Sequence, residues 1–119
     1  MSPEEKDPAS LWDMLDSARR IQSYVAGKDL KRYMEDDLLR SAVERRLEIL
    51  GEAARRVSEG CVKAHPEIPW GRIVGLRNVL SHRYGEISNQ RIWRVATVDV
   101  PELIAKLAPI VPPPPADGD

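Results

Sequence analysis

The sequence predicts an all-α protein, a bundle of four to five helices, on three observations. Apolar residues recur at three- and four-residue steps over long stretches, and the alternating runs typical of strands are absent. The 119 residues include three Trp, three Tyr and no Phe, so any core consists mainly of Leu, Ile, Val and Ala. That composition suits the packing of helix on helix better than a β-sandwich. The length fits one domain.

The first predicted helix begins at Ser10, whose hydroxyl can cap a free backbone amide. Its apolar stripe is formed by Leu11, Met14, Leu15, Ala18, Ile21 and Val25. Gly27 is expected to end this helix, because glycine readily adopts the left-handed conformation that follows many helix C-termini. A short turn of helix or a loop is expected at 28–36.

The second predicted helix is capped by Asp36 or Asp37 and ends at Gly60, near Glu59. Its apolar seam steps by three and four residues through Leu39, Val43, Leu47, Leu50, Ala54 and Val57. The seam can be either intramolecular core or a dimer face, and the sequence does not choose between them. Gly51 costs about 1 kcal/mol relative to alanine in a helix interior, so we expect close packing at this position.

A third helix is expected from Pro69 to His82, after a connector at 61–68. Proline suits the first helical position, where its missing N–H would be unpaired in any case. The inward face of this helix is formed by Ile73, Leu76 and Leu80.

Two further segments are predicted toward the C-terminus. A helix or turn runs from Ser88 to about Val95, and a last helix is capped by Asp99 and continues through Leu107. The prolines that follow predict an extended polyproline tail. The chain is therefore divided into a polar N-terminal tail at 1–9, a helical domain at 10–108 and a proline-rich tail at 109–119.

The net charge is −1, but the charges are unevenly distributed. Residues 1–39 and residues 95–119 each carry −3, whereas residues 40–94 carry +5. A basic middle between acidic ends permits a local patch that faces phosphate, although exposed arginines are commonly just solvated. No window approaches the roughly 20 apolar residues of a membrane span, and the polar start does not resemble a signal peptide, so we expect a cytoplasmic protein.

Several kinds of site are excluded by residue type and spacing. One cysteine, Cys61, excludes an internal disulfide framework, and its expected state is a partly buried, inert thiol. The two histidines, His65 and His82, show no metal-ligand spacing, so no metal is expected. His65 lies in the connector, where a solvated or locally bonded imidazole is the ordinary expectation.

The densest polar cluster, residues 77–84, reads RNVLSHRY. On an ideal helix His82 points about 140° away from Arg77. The two side chains converge if the helix ends near His82, or if two chains place their copies across a shared groove. The structural alternative is Arg77 stacked near Tyr84, with the histidine capping the C-terminus of the helix.

Arginine, histidine and tyrosine without a metal suit RNA cleavage by the neighbouring 2′-hydroxyl. That hydroxyl already supplies the nucleophile, so the protein moves protons and stabilises charge. An imidazole with a pKa near roughly 6.5 can act as base or acid at neutral pH. A guanidinium offers a fixed fork of donors to the crowded phosphate oxygens.

The pattern Arg77-x4-His82-x-Tyr84 resembles the R-x4-H-x-Y motif of the HepT-like HEPN toxins. Two flanking blocks are also similar to that family: AVERRLEILGEAA at 42–54, and PEIPW followed by IVGLRN within 66–78. The resemblance covers roughly residues 10–108.

The resemblance implies an HEPN-like bundle that dimerises, so that two motif segments face one cleft. It also implies a metal-independent endoribonuclease that needs no cofactor and is the toxin of a type II toxin–antitoxin pair. By resemblance, Arg77 stabilises the phosphate of the RNA substrate, His82 handles the proton and Asn78 helps to orient the cleft. The implied partner is an antitoxin, an MNT-type nucleotidyltransferase that can transfer AMP to Tyr84 and so block the site with bulk and negative charge. Arg83 is an additional charge that either aids RNA binding or is solvated.

Two other interpretations stay open at this level. The chain could be a catalytically weak helical dimer that serves as a binding module for a nucleotidyltransferase. It could also be a structural helical protein whose Arg77 and Tyr84 only pack together.

Overall fold

A computed structural model describes residues 2–82 and 88–113, with the backbone alone described for Pro3, Ser81 and His82. Within these residues the regular structure is helical throughout, which confirms the all-α prediction. The elements are α1 (Pro3–Val25), α2 (Leu30–Glu35), α3 (Asp37–Arg56), α4 (Glu59–Ala64), α5 (Trp70–His82), α6 (Asn89–Arg94), a π-helical turn (Val95–Asp99) and α7 (Val100–Leu107). None of the described helices is long and apolar enough to cross a membrane.

Helix α3 is the centre of the bundle. It packs against α1 on one side and against α5 on another, while α7 also lies on α1 and α2 contacts both α3 and α6. The six residues of the predicted α3 seam are all buried within this single chain. The seam is therefore intramolecular core, made by the stripes of α1 and α3 facing each other.

The N-terminus of α1 differs from the sequence prediction. The helix begins at Pro3 and not at Ser10, which is buried inside it. Ser2 is the cap and accepts a hydrogen bond from the Glu5 amide at 3.3 Å, and Pro3 occupies the first turn, where no N–H is needed.

A long-range polar contact secures this additional stretch of α1. Asp7 is buried and accepts hydrogen bonds from the Ser58 backbone N–H at 2.8 Å and from its hydroxyl at 2.6 Å. These charge-assisted bonds join α1 to the junction between α3 and α4. Residues 3–9 therefore belong to a helix that is anchored to the bundle.

The end of α3 was also predicted wrongly. It ends at Arg56, and Gly60 lies inside the next helix, α4. Helix α4 continues to Ala64, so it also occupies the first part of the connector expected at 61–68. Ser58 starts α4, because its hydroxyl accepts from the Cys61 amide at 3.2 Å. The serine cap outweighs the helix-ending tendency of the glycine.

Other predicted helix boundaries are confirmed. Gly27 follows α1 with φ of +73°, and α2 lies in the segment expected to hold a short helix. Asp36 caps α3 by accepting from the Leu39 amide at 2.9 Å. Ser88 caps α6 by accepting from the Arg91 amide at 3.2 Å.

The prediction that Asp99 caps the last helix is wrong. The chain from α6 to α7 stays helical through the π-helical turn, and the Val100 N–H bonds to the Val95 carbonyl. Because a helix already precedes Asp99, there are no free first-turn amides for its carboxylate to cap. Asp99 instead lies 3.7 Å from the Arg72 guanidinium of α5. Of the proline-rich tail, residues 114–119 lie outside the described residues.

Candidate functional site

Arg77 and Asn78 lie on α5, the helix that packs across α3. Leu80 of this helix is buried, and Ile73 and Leu76 are half-buried against the core, as the predicted inward face requires. Because these three residues face the core, the side chain of Arg77 lies at the edge of the contact between α3 and α5. Its side chain is 26% exposed, so it is partly enclosed and still reaches solvent.

Gly51 of α3 lies directly beneath Arg77. A Cβ atom added to Gly51 would overlap Cβ of Arg77, and would lie 2.7 Å from its Cγ and 3.1 Å from the Ile73 carbonyl oxygen. Only glycine lets the aliphatic stem of Arg77 cross α3 at this distance. This confirms the prediction of close packing at Gly51, and it shows that the neighbour is the candidate catalytic arginine.

Two oxygen atoms fix the guanidinium of Arg77. Nη2 lies 2.9 Å from Oε2 of Glu52 on α3, and Nη1 donates to Oδ1 of Asn78 at 3.1 Å. The structure therefore places the side chains of Asn78 and Glu52 against the guanidinium of Arg77. An arginine has five N–H donors, so Arg77 can keep both contacts while it donates to a phosphate oxygen.

Glu52 is itself held by neighbouring arginines of α3. Arg55 donates to its two carboxylate oxygens at 2.8 Å and 3.4 Å, and the Arg56 guanidinium lies 3.7 Å away. The hydrogen bond from Arg55, followed by the positive charges of Arg55, Arg77 and Arg56, lowers the pKa of Glu52. Glu52 is therefore a carboxylate at neutral pH.

The Arg77 side chain lines a small polar pocket of about 210 Å³ between α1, α3 and α5. The pocket walls carry carboxylates and guanidiniums in alternation, formed by Asp13, Arg45, Glu48, Glu52, Arg56 and Arg77 together with Ile49 and Ala53. Such a mixed wall suits a ligand that offers both anionic and hydroxyl groups.

A second and larger groove lies on another side of α5. Its volume is about 530 Å³, and it lies between α3, α5 and the helical run from α6 to α7. Apolar side chains such as Leu76, Val79 and Leu103 line it, and charged residues that include Arg72 and Lys106 stand among them. One side of α5 is thus packed on α3, and another lines an open groove.

The remaining predicted site residues fall at or beyond the end of α5. His82 is the last residue of this helix, five positions after Arg77 and thus about 7.5 Å further along the helix axis. Its side chain lies outside the described residues, as do Arg83 and Tyr84. Whether the guanidinium and the imidazole converge therefore stays a prediction.

Cys61 and His65 behave as the sequence predicts. Burial raises the pKa of the Cys61 thiol, with a smaller contribution from the Asp7 charge, which disfavours a reactive thiolate. The Nδ1 atom of His65 lies 3.3 Å from the Glu67 carboxylate, and the His65 carbonyl accepts from the Trp70 indole at 2.9 Å. Both residues have local structural roles.

Comparison with known proteins identifies one family. Residues 14–110 match the family described as Ribonuclease HepT-like. A Methanocaldococcus jannaschii protein with a provisional RNase name is 36% identical over 95 residues, which cover 80% of this chain and 87% of that protein. A Thermococcus cleftensis protein, provisionally named ribonuclease HepT, is 29% identical over 96 residues, which cover 81% and 87%. No solved structure matches the chain.

The helical fold, the arginine held at a pocket and these similarities together define a ribonuclease. The chain belongs to the HepT-like ribonuclease family. The resemblance drawn from the R-x4-H-x-Y motif is confirmed.

Sequence reasoning missed Glu52 as part of the site. The glutamate lies 25 positions before Arg77, and no local spacing connects the two. The available signal was Gly51, since a glycine inside a long helix marks the place where another element approaches closely.

Proposed function

We propose that this chain is a metal-independent endoribonuclease that acts in the cytoplasm as the toxin of a type II toxin–antitoxin system. The observation that carries the proposal is the Arg77 guanidinium, which is oriented by Glu52 and Asn78 at the edge of a polar pocket. His82 follows on the same helix in a chain of the HepT-like ribonuclease family.

In the proposed reaction, the His82 imidazole removes the proton from a 2′-hydroxyl of RNA. The 2′-oxygen then bonds to the adjacent phosphorus, and the bond from phosphorus to the 5′-oxygen breaks. The 5′-oxygen takes up a proton from an acid in the cleft or from water, which leaves a 2′,3′-cyclic phosphate and a 5′-hydroxyl. Arg77 donates hydrogen bonds to the phosphate oxygens as their negative charge increases.

The direct test is cleavage of total RNA by the purified protein in a buffer that contains EDTA, beside His82→Ala. We expect the wild-type protein to release fragments that end in 2′,3′-cyclic phosphate, and the variant to release none, because it cannot move the proton. Circular dichroism checks that both proteins are equally folded. Equal cleavage by both proteins, or by neither, counts against the proposal.

We propose that the active form is a homodimer in which two copies of α5 lie near a common cleft. The half-buried apolar residues of α5 and the groove of about 530 Å³ beside it support this arrangement. Closed two-fold dimers are the commonest assemblies of soluble proteins, and a two-fold axis brings identical segments together.

The proposed protein partner is an MNT-type nucleotidyltransferase antitoxin that transfers AMP to Tyr84. Co-expression with such an enzyme from the neighbouring gene should give a complex, and the mass of this chain should rise by one adenylyl group. Tyr84→Phe removes the acceptor hydroxyl and should abolish the mass increase. A chain that stays unmodified and unassociated removes the antitoxin from the proposal. If association occurs without any ribonuclease activity, the chain is instead a binding module.

A further inference from the structure

We infer that Glu52 is a positioning residue that fixes the Arg77 guanidinium for RNA cleavage, acting from α3 on a side chain of α5. This inference rests on the proposed function, because it assigns Glu52 a task in the same reaction. Glu52 acts through Arg77 and does not itself contact the reacting atoms.

Glu52 contacts the guanidinium of Arg77 directly. Nη2 of Arg77 lies 2.9 Å from Oε2 of Glu52, so the two side chains form a close ion pair. The stem of Arg77 is held at its other end, because Gly51 lies against its Cβ and Cγ atoms. Gly51 and Glu52 are consecutive, so one point on α3 constrains both ends of the arginine.

The carboxylate of Glu52 is itself held by two arginines of α3. Arg55 binds both of its oxygens, and Arg56 approaches the same carboxylate. These arginines lie three and four positions later on α3, where side chains of one helical face meet. Glu52 is therefore a fixed anchor, and its lowered pKa keeps it charged until the solution becomes acidic. The ion pair between Glu52 and Arg77, called the tether below, is expected to be lost as the pH falls through the lowered pKa of Glu52.

An arginine without such an ion pair has to lose conformational freedom during the reaction. A free arginine side chain samples many rotamers, and this conformational freedom must be lost before the guanidinium meets the phosphate. The tether fixes the guanidinium before RNA binds, so this conformational entropy is not lost during the reaction step. That is the general benefit of preorganised charge. A carboxylate near the site also repels RNA phosphate, so Glu52 weakens substrate binding while it speeds the step that follows.

These opposing effects give a measurable signature. We expect Glu52→Gln to lower kcat by about tenfold, because the guanidinium becomes misplaced. The same variant is expected to leave KM for RNA unchanged or lower, because a negative charge is removed. If Glu52 only competed with RNA for Arg77, Glu52→Gln would instead have a higher kcat than the wild type.

The matched control is Asp16→Asn. Asp16 lies on α1, and its ion-pair partner is Arg20, at 3.0 Å. Its exposed fraction of 30% is close to the 25% of Glu52. This variant also removes one carboxylate from an ion pair with arginine and leaves the Arg77 tether intact, so we expect kcat to stay within about twofold of the wild-type value.

A second readout does not depend on cleavage. NMR of the arginine side-chain N–H groups reports whether the guanidinium rotates freely, and Arg77→Lys assigns the Arg77 signals. We expect separate, slowly rotating Nη signals for Arg77 in the wild type and in Asp16→Asn, and averaged signals in Glu52→Gln. Thermal unfolding of each variant shows whether the fold is retained.

The outcomes separate the inference from the proposed function. If the wild type cleaves RNA and Glu52→Gln has unchanged or higher kcat, the inference is overturned and the proposed function stands. If the wild type does not cleave RNA, the proposed function fails, and the NMR comparison still tests the tether. Averaged Arg77 signals in the wild type overturn the tether in either case.

Discussion

Replacing Arg77 with alanine is expected to lower kcat/KM for RNA cleavage by about 10²- to 10³-fold. The guanidinium is the cation that the structure holds at the pocket edge through Glu52 and Asn78. Its donors would act on the phosphate when a fifth oxygen bonds to phosphorus and negative charge is greatest. The loss is therefore expected mainly in kcat, measured with a short RNA of defined sequence under single-turnover conditions.

Two further variants separate geometry from charge. Arg77→Lys keeps the positive charge but loses the planar fork, so its kcat/KM should lie between those of the wild type and Arg77→Ala. Arg20→Ala removes an exposed arginine whose partner, Asp16, lies on the same helix, and it should leave cleavage nearly unchanged. Equal losses in Arg20→Ala and Arg77→Ala would show that net charge, and not the placement of Arg77, controls the reaction.

The parts of the fold that the sequence predicts correctly are those with local causes. The seam of α3, the glycine after α1 and the caps at Asp36 and Ser88 all depend on residues within one or two helical turns. Helical periodicity and side-chain caps act over the same short range. The all-α class and most helix boundaries therefore follow from the sequence.

The errors occur where distant residues decide the local structure. The early start of α1 is joined to the bundle by Asp7, whose partner Ser58 is 51 positions away. Aspartate is a common N-cap residue, but the chain before Asp99 is already helical from α6 onward. No free amide is therefore left for the Asp99 carboxylate to cap. No local pattern distinguishes these cases, because the deciding contact forms only when the helices pack.

The candidate site divides in the same way. Arg77 and Asn78 are adjacent in a recognisable motif, so the sequence alone identifies them. Glu52 joins them only because α5 crosses α3 at Gly51. The glycine marks a close approach on α3, but the identity of the approaching residue depends on how two whole helices pack.

Replacing Gly51 with leucine is expected to destabilise the protein by about 3 kcal/mol and to abolish RNA cleavage. The new side chain would meet Cβ and Cγ of Arg77, which lie close to the backbone of α5 and cannot simply rotate away. Helix α5 must therefore shift away from α3, and the 2.9 Å contact between Arg77 and Glu52 is lost with that shift. Chemical denaturation measures the stability, and the RNA assay measures the activity.

Gly51→Ala and Gly75→Ala are expected to change the stability of the protein in opposite directions. Alanine is favoured over glycine in a helix interior by about 1 kcal/mol, so an unobstructed replacement should raise stability. Gly75 lies on α5 with nothing within 4 Å of an added Cβ, and Gly75→Ala should show that gain. Gly51→Ala makes the same change in α3, but its Cβ overlaps Arg77, so we expect a net loss of stability and a lower kcat. A gain in both variants would mean that α5 yields easily at this crossing, and the rigid placement of Arg77 would then have to come from Glu52 alone.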